Sequence, residues 1–290
     1  MQIASNWNDY AILDTGYGEK IEQWGDYILR RPDPQVIWPW QKEEKVRNNV
    51  HAIYHRSIRG GGEWEKLRKL PDSWTIGYKN LKFKVEPTGF KHTGLFPEQA
   101  VNWDWMKDKI KNANREIKVL NLFAYTGGAT LACASAGASV CHVDASKGIV
   151  SWCKENAAIS GLSEKPIRYI VDDCMKFIER EVRRGKTYEA IIMDPPSYGR
   201  GPKGELWKIE DELYKLLDSC VPLLSENPLF VLVNSYTTGF SPYVPANIME
   251  MTIQRKVRGK VSAGEVGLPV KDSSIVLPCG IYTRWERGQI

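Results

Sequence analysis

Two stretches of this sequence carry residues of the kind that bind and react small molecules: Asn121-Leu-Phe-Ala-Tyr-Thr-Gly-Gly-Ala-Thr130 and, about seventy residues on, Ile191-Ile-Met-Asp-Pro-Pro-Ser-Tyr198. In the first, Gly127 and Gly128 form a tight turn that lets backbone approach a ligand before a helix of small residues begins. In the second, two prolines fix the backbone and remove two donors, leaving carbonyl acceptors beside the Asp194 carboxylate. Such an acceptor pair suits an amino nitrogen, and Tyr198 could stack on a planar base. Between the two stretches lie Asp144, spaced to accept from ribose hydroxyls, and Asp172-Asp173-Cys174, where Asp173 is placed to accept from an adenine amino group. Asp144 serves equally well as a cap for the helix beginning near Ser146, and the two roles are compatible.

Five apolar runs bring these residues to strand ends: Lys118–Leu122, Ser139–Asp144, Ile167–Val171, Glu189–Met193 and Leu229–Val233. Helical patterns alternate with them over Ala129–Ala136, Ser146–Ser160, Met175–Arg184 and Glu210–Leu224, with another near Ala246–Lys256 and strand-like runs around Gly259–Gly264 and Ser274–Tyr282. This alternation predicts an α/β fold, a mostly parallel sheet with helices on both faces, in which ligands sit beyond the carboxyl ends of the strands. The first ninety residues instead show period-2 runs with turn signals. They read as a meander (Tyr10–Leu13, a turn at Asp14–Gly18, Lys20–Trp24, Tyr27–Leu29) and a hairpin over Trp74–Glu86 with its tip near Lys79-Asn80. The expected organisation is a small β-rich domain, 1–90, and an α/β catalytic domain, 91–290.

The motifs exclude two common nucleotide sites. Neither Gly-x-Gly-x-x-Gly nor Gly-x-x-x-x-Gly-Lys-Ser/Thr is present, so a nicotinamide fingerprint and a P-loop are both missing. His51 and His55 stand four apart but without the His-Glu-x-x-His pattern or a third ligand, and no metal is expected. The six cysteines show no Cys-x-x-Cys spacing and read as reduced, mostly buried thiols. No apolar run reaches the roughly 20 residues needed to span a bilayer, and the N-terminus lacks the regions of a signal peptide, so a cytoplasmic protein is expected. The formal charge of +5 is mild, with cations gathered at Arg255-Lys256-Val-Arg258-Gly-Lys260 and at Arg200, Lys203 and Lys208. Many of the eleven tryptophans precede residue 90, where packing is their simplest role.

Taken together the motifs resemble the class I S-adenosylmethionine-dependent methyltransferases, in particular the large-subunit ribosomal RNA branch that makes 5-methylcytosine or 7-methylguanine. The resemblance runs from about Lys91 to Ser235 and includes Lys91-His92-Thr93-Gly94-Leu95-Phe96-Pro97-Glu98-Gln99 ahead of the core. It implies a seven-stranded Rossmann-like domain binding S-adenosyl-L-methionine. It places Thr93, Phe96 and Gln99 in a lip over the cofactor, and Asn121, Phe123, Tyr125, Thr126, Gly127, Asp144, Ala145, Ser146, Asp173, Cys174 and Asp194 around it. Asp194, Pro195, Pro196 and Tyr198 would hold the methyl acceptor. Two departures bear on the substrate. Methylation at cytosine C5 needs a cysteine thiolate, yet the segment after the fifth strand reads Asn234-Ser235-Tyr236-Thr237 and no cysteine follows Asp194-Pro195. The first ninety residues also do not resemble the RNA-binding PUA module found in part of the branch. The expectation is therefore a methyltransferase acting on RNA, ribosomal RNA first, at a base nitrogen. The rivals are a protein or small-molecule acceptor, and a non-catalytic cofactor-binding module acting through the N-terminal domain.

Overall fold

The computed structural model describes residues 1–57, 61–200 and 206–288, except for the side chain of Arg200; Lys203 lies outside this set. The chain divides into two compact units, one of Met1–Gln2, Val101–Val266 and Gly280–Ile290, the other of Ile3–Ala100 and Gly267–Cys279.

The larger unit is built on seven strands: β1 (Lys118–Leu122), β2 (Ser139–Asp144), β3 (Ile167–Val171), β4 (Ala190–Met193), β5 (Phe230–Ser235), β6 (Gly259–Pro269) and β7 (Val276–Arg287). Their order is β6-β7-β5-β4-β1-β2-β3, with the two-residue strand Gln2–Ile3 added beside β6. The strands β3, β2, β1, β4 and β5 run parallel, and β7 is antiparallel to β5. The four central strands are apolar along almost their whole length because helices cover both faces. Strand order reverses between β1 and β4, the place where an open α/β sheet opens a crevice for ligands.

The helices follow the periodicity closely: Gly128–Ser135, Lys147–Ile159, Cys174–Arg183 and Ile209–Cys220. Besides an unexpected helix, Ala100–Asn112, and the greater length of β6 and β7, two features differ from expectation. The helix predicted over 246–256 is two, Tyr243–Met251 and Ile253–Lys256, broken where the Thr252 hydroxyl donates back to the Ile248 carbonyl at 2.7 Å. The segment after Asp-Pro-Pro forms a short antiparallel hairpin, Tyr198–Arg200 with Leu206–Lys208, which the sequence did not announce.

In the other unit, strands Tyr10–Gly16, Glu19–Trp24, Tyr27–Pro32, Ala52–Arg56 and Gly62–Lys66 form one sheet in that order, and Trp74–Tyr78 pairs with Leu81–Val85. The first turn is tighter than expected. Asp14 is not in it but buried in the strand, where its carboxylate accepts from the Thr15, Gln41 and Lys42 amides, and the chain reverses at Tyr17-Gly18, both with positive φ. Tryptophans here pack as expected: Trp24 is fully buried against Tyr10 at 4.7 Å, and Trp74 donates to the Trp24 carbonyl.

A buried ion pair lies beneath this aromatic cluster. Glu22 receives both Arg31 Nε and Nη2, at 2.6 and 2.8 Å, and the Tyr10 hydroxyl at 2.7 Å, while Arg31 Nη1 donates to the Lys91 carbonyl. Burial pushes the Glu22 carboxyl up, but the Arg31 and Lys20 charges outweigh it and hold it down at about 2. A depressed carboxyl contributes stability that is complete above its unfolded value and is lost as pH falls through its folded one. Acid unfolding of this unit is therefore expected to set in as pH drops from about 4.5 toward 2. Arg31→Met, which strands a buried carboxylate, should cost roughly 3–5 kcal/mol in urea unfolding and move the acid transition upward. An unchanged acid midpoint in that variant would remove Glu22 from the explanation.

Candidate cofactor and acceptor site

The carboxyl ends of β1, β2, β3 and β4 bring Phe123, Asp144, Asp173 and Asp194 to one edge of the sheet. Register fixes this: Leu122 stands opposite Met193 and Val143, and Asp144 opposite Val171. After β1 the chain makes an unusual turn in which Phe123, Tyr125 and Gly127 all have positive φ, at 52°, 51° and 91°. Non-glycine residues rarely adopt that conformation, so the surroundings must hold it. The Phe123 amide donates to Cys174 Sγ at 3.4 Å, the Ala124 amide to the Val143 carbonyl at 3.0 Å, and the Tyr125 amide to Asp144 Oδ2 at 3.0 Å.

Asp144 is the hub. Its second oxygen accepts from the Ser146 amide at 2.9 Å, and Ser146, not Asp144, caps the helix Lys147–Ile159 by accepting from the Ile149 amide. Burial raises the Asp144 carboxyl, and the Ser146 and Tyr125 amides partly offset that rise. Each oxygen keeps lone-pair capacity for a further donor. Asp173 caps the helix Cys174–Arg183 by accepting from the Lys176 amide at 3.0 Å, while Asp172 pairs with Arg180 and accepts from the Asp173 amide. Ala145 and Ser146 are exposed at this edge.

Beneath the turn lies a buried polar chain. The Asn121 amide donates to Thr130 Oγ1 at 2.9 Å, that hydroxyl lies 2.9 Å from His142 Nδ1, and Cys153 Sγ lies 3.5 Å beyond. Asn156 donates to the Thr126 carbonyl at 2.9 Å. Burial lowers His142 to about 3, so the ring is neutral. Asn121 and Thr126 are thus buried, with these bonds anchoring the turn from within. Thr130, His142, Cys153 and Asn156 were not among the residues singled out from sequence. The available signal was a polar residue, Asn121 or His142, inside a strand that must be buried on both faces and so needs a partner.

The glycines of the turn are sterically required. A Cβ on Gly127 would lie 2.2 Å from Cys153 Sγ at a φ of 91°, and one on Gly128 would lie 2.7 Å from the Trp103 ring. Gly127→Ala is expected to destabilise by about 3 kcal/mol, combining left-handed strain with overpacking. Chemical denaturation measures this, and a loss under about 0.5 kcal/mol would mean the turn relaxes freely.

Beyond β4, Asp194 is partly buried, Pro195 buried, and Pro196, Ser197 and Tyr198 exposed. One expectation is corrected here: the Pro196 carbonyl does not point outward as a free acceptor but receives the Trp207 indole N–H at 2.6 Å. Ser197 Oγ lies 2.6 Å from Thr237 Oγ1, which also takes Ser235 Oγ at 3.2 Å, so the segments after β4 and β5 are joined by hydroxyls. All six cysteines are free, and the five in this unit are buried with thiols raised by burial, Cys141 to about 11 and Cys174 to about 12.

Three predicted cofactor residues lie in the other unit. Thr93 and Gln99 are buried there, the Thr93 hydroxyl without a hydrogen bond and its carbonyl accepting from the Glu86 amide, and the Phe96 ring stands 5.4 Å from His92. The Arg255–Lys260 cluster is placed away from the strand carboxyl ends. Gly259 abuts Glu286, Glu286 pairs with Phe230 at the start of β5, and Lys256 is used on the Val221 and Leu224 carbonyls. Among the described residues there is no group of three or more metal-ligating side chains, and no helix long and apolar enough to cross a membrane.

The comparisons with known proteins agree with this geometry. The chain is 33% identical over 212 residues to a ribosomal RNA large subunit methyltransferase K/L from Shewanella frigidimarina and 32% identical over 246 residues to one from Pseudoalteromonas atlantica, covering 72% and 76% of this chain. It spans only 28% and 33% of the length of those relatives. The crystal structure of an S-adenosylmethionine-dependent methyltransferase from Agrobacterium tumefaciens superimposes with a TM-score of 0.94 at 40% identity, over 99% of this chain and 93% of that one. Residues 6–229 match the model of the S-adenosylmethionine-dependent methyltransferase family, and with the strand order and strand-end carboxylates described above the chain belongs to that family.

Proposed function

We propose that this chain transfers the methyl group of S-adenosylmethionine to a nitrogen of an RNA base, with ribosomal RNA the first candidate. The observation that carries the reading is the position of Asp194-Pro195-Pro196 at the end of β4, directly across the switch point from the Phe123–Gly127 turn. The set of acceptors fits the cofactor. Asp144, Asp173 and Asp194 make an acidic edge, unsuited to a phosphate but suited to a nucleoside with free ribose hydroxyls, an adenine amino group and a cationic sulfonium. Asp144 takes the ribose and Asp173 the adenine amino group with the oxygen its cap leaves free.

The bound cofactor supplies an already activated methyl group, so the protein's work is alignment and exclusion of water. Asp194 and the Pro195 carbonyl accept from an amino nitrogen and orient its lone pair, and Tyr198, exposed on its hairpin opposite Lys208, offers a ring to the base. The acceptor's proton can leave after transfer, so no strong base is required. A nitrogen target is favoured over cytosine C5 because the unit's cysteines are buried and protonated. An RNA acceptor is supported by the names of the curated relatives and by the positive charge of the chain.

The test is calorimetric titration with S-adenosylmethionine, S-adenosylhomocysteine and NAD, followed by RNA binding across a salt series. Micromolar affinity for the two sulfur nucleosides alone, with RNA affinity falling steeply with salt, is expected. Salt-independent RNA binding would direct the search to protein or small-molecule acceptors.

A further inference from the structure

We infer that Trp207 is a positioning residue coupling the cofactor-side turn to the acceptor loop. This rests on reading Asp194–Ser197 as that loop. Trp207 contacts both sides: its indole N–H donates to the Pro196 carbonyl at 2.6 Å, and its ring lies 5.5 Å from the Phe123 ring at 49°. Phe123 is itself constrained by a positive φ and by the hydrogen bond its backbone N–H donates to Cys174 Sγ, so the surface it presents to Trp207 depends on the state of the turn. On the other side, the loop that ends in Ser197 has few ways to move. The Ser197 carbonyl accepts from the Ile209 amide at 3.1 Å and its hydroxyl meets Thr237. Pairing of Gly199 with Trp207 across the hairpin fixes where the indole stands.

The consequence is mechanical. A ligand that settles the Phe123–Gly127 turn shifts the ring against which Trp207 packs, and the indole N–H transmits that shift to the carbonyl two residues beyond Asp194. Proline cannot donate to a partner of its own, so at Pro196 the carbonyl is the one backbone hydrogen-bonding group through which the loop can be held. Methyl transfer depends steeply on alignment, with a misplacement of about 1 Å costing on the order of a hundredfold. Trp207 therefore acts on turnover far more than on cofactor affinity.

The test uses the whole chain labelled with 5-fluorotryptophan. Trp207→Phe or Trp207→His identifies the Trp207 fluorine resonance by its disappearance, and S-adenosylhomocysteine is then titrated in while calorimetry follows binding. The resonance is expected to shift in step with binding, and the shift to shrink in Phe123→Ala. With an RNA acceptor, Trp207→Phe, which keeps a ring but loses the donor, should lower the transfer rate roughly tenfold with cofactor Kd changed less than about threefold, and Trp207→His should recover part of the rate. A Trp207 resonance that stays fixed while calorimetry records saturation would overturn the inference and leave the cofactor reading intact. Absence of binding in the calorimeter would overturn the cofactor reading, and the coupling with it.

Discussion

Asp194→Ala is expected to reduce methyl transfer by at least about a hundredfold while weakening S-adenosylmethionine binding by no more than about tenfold. The split follows from where Asp194 stands. It follows β4, one residue past Met193, and is itself followed by two residues without amide donors, so on the proposed reading the acceptor face consists of its carboxylate and the Pro195 carbonyl. On the proposed reading, removing the carboxylate takes away the group that would orient the incoming nitrogen, an interaction worth most at transfer, whereas the cofactor would keep its contacts at Asp144 and Asp173. Single-turnover transfer and calorimetry on the same preparation separate the two effects. Equal losses in affinity and rate would make Asp194 a cofactor ligand rather than an acceptor-side residue.

Asp144→Ala should act on the other side, raising the dissociation constant for S-adenosylhomocysteine roughly a hundredfold. Asp144 does two things at once: it offers lone pairs outward, and it holds the Tyr125 and Ser146 amides at 3.0 and 2.9 Å. Hydrogen bonds to a charged group contribute about 1.5–3 kcal/mol each, and alanine removes those to ligand and backbone together. Asp144→Asn should be nearly as damaging, because an amide nitrogen must then face one of two N–H donors. Since burial raises the Asp144 carboxyl, cofactor affinity should begin to fall on acidification at a higher pH than for an ordinary carboxylate. Calorimetry across pH would show this, and a pH-independent affinity in the acid range would contradict Asp144 as the ribose acceptor.

The sheet was legible in the sequence because β1, β2, β4 and β5 are buried on both faces and therefore read as apolar runs, interrupted within only by Asn121 and His142, that end in Asp, Asn or a glycine turn. Strands β6 and β7 were seen only in part. Much of each is half-exposed, so the alternation that marks a strand fades, and they run to 11 and 12 residues. The antiparallel pair Tyr198–Arg200 and Leu206–Lys208 was missed because each strand is three residues long, too short for any period to show. At the candidate site, type and spacing singled out Asp144, Asp173 and Asp194, which the aligned strands bring to one edge of the sheet. Of the residues that hold the turn in place, His142 and Cys153 below it and Trp207 beside it come from other parts of the chain and become neighbours only when the strands align. Sequence also overread one feature: the Pro196 carbonyl, expected to point outward as an acceptor, is already occupied.

The most direct measurement of the central claim is transfer of tritiated methyl from S-adenosylmethionine to separated RNA and protein fractions by the wild type and by Asp194→Ala. Label in a base of the RNA fraction, placed on nitrogen by nucleoside analysis and absent with the variant, is the predicted result. Label confined to protein, label on cytosine C5, or equal label with both enzymes would contradict it.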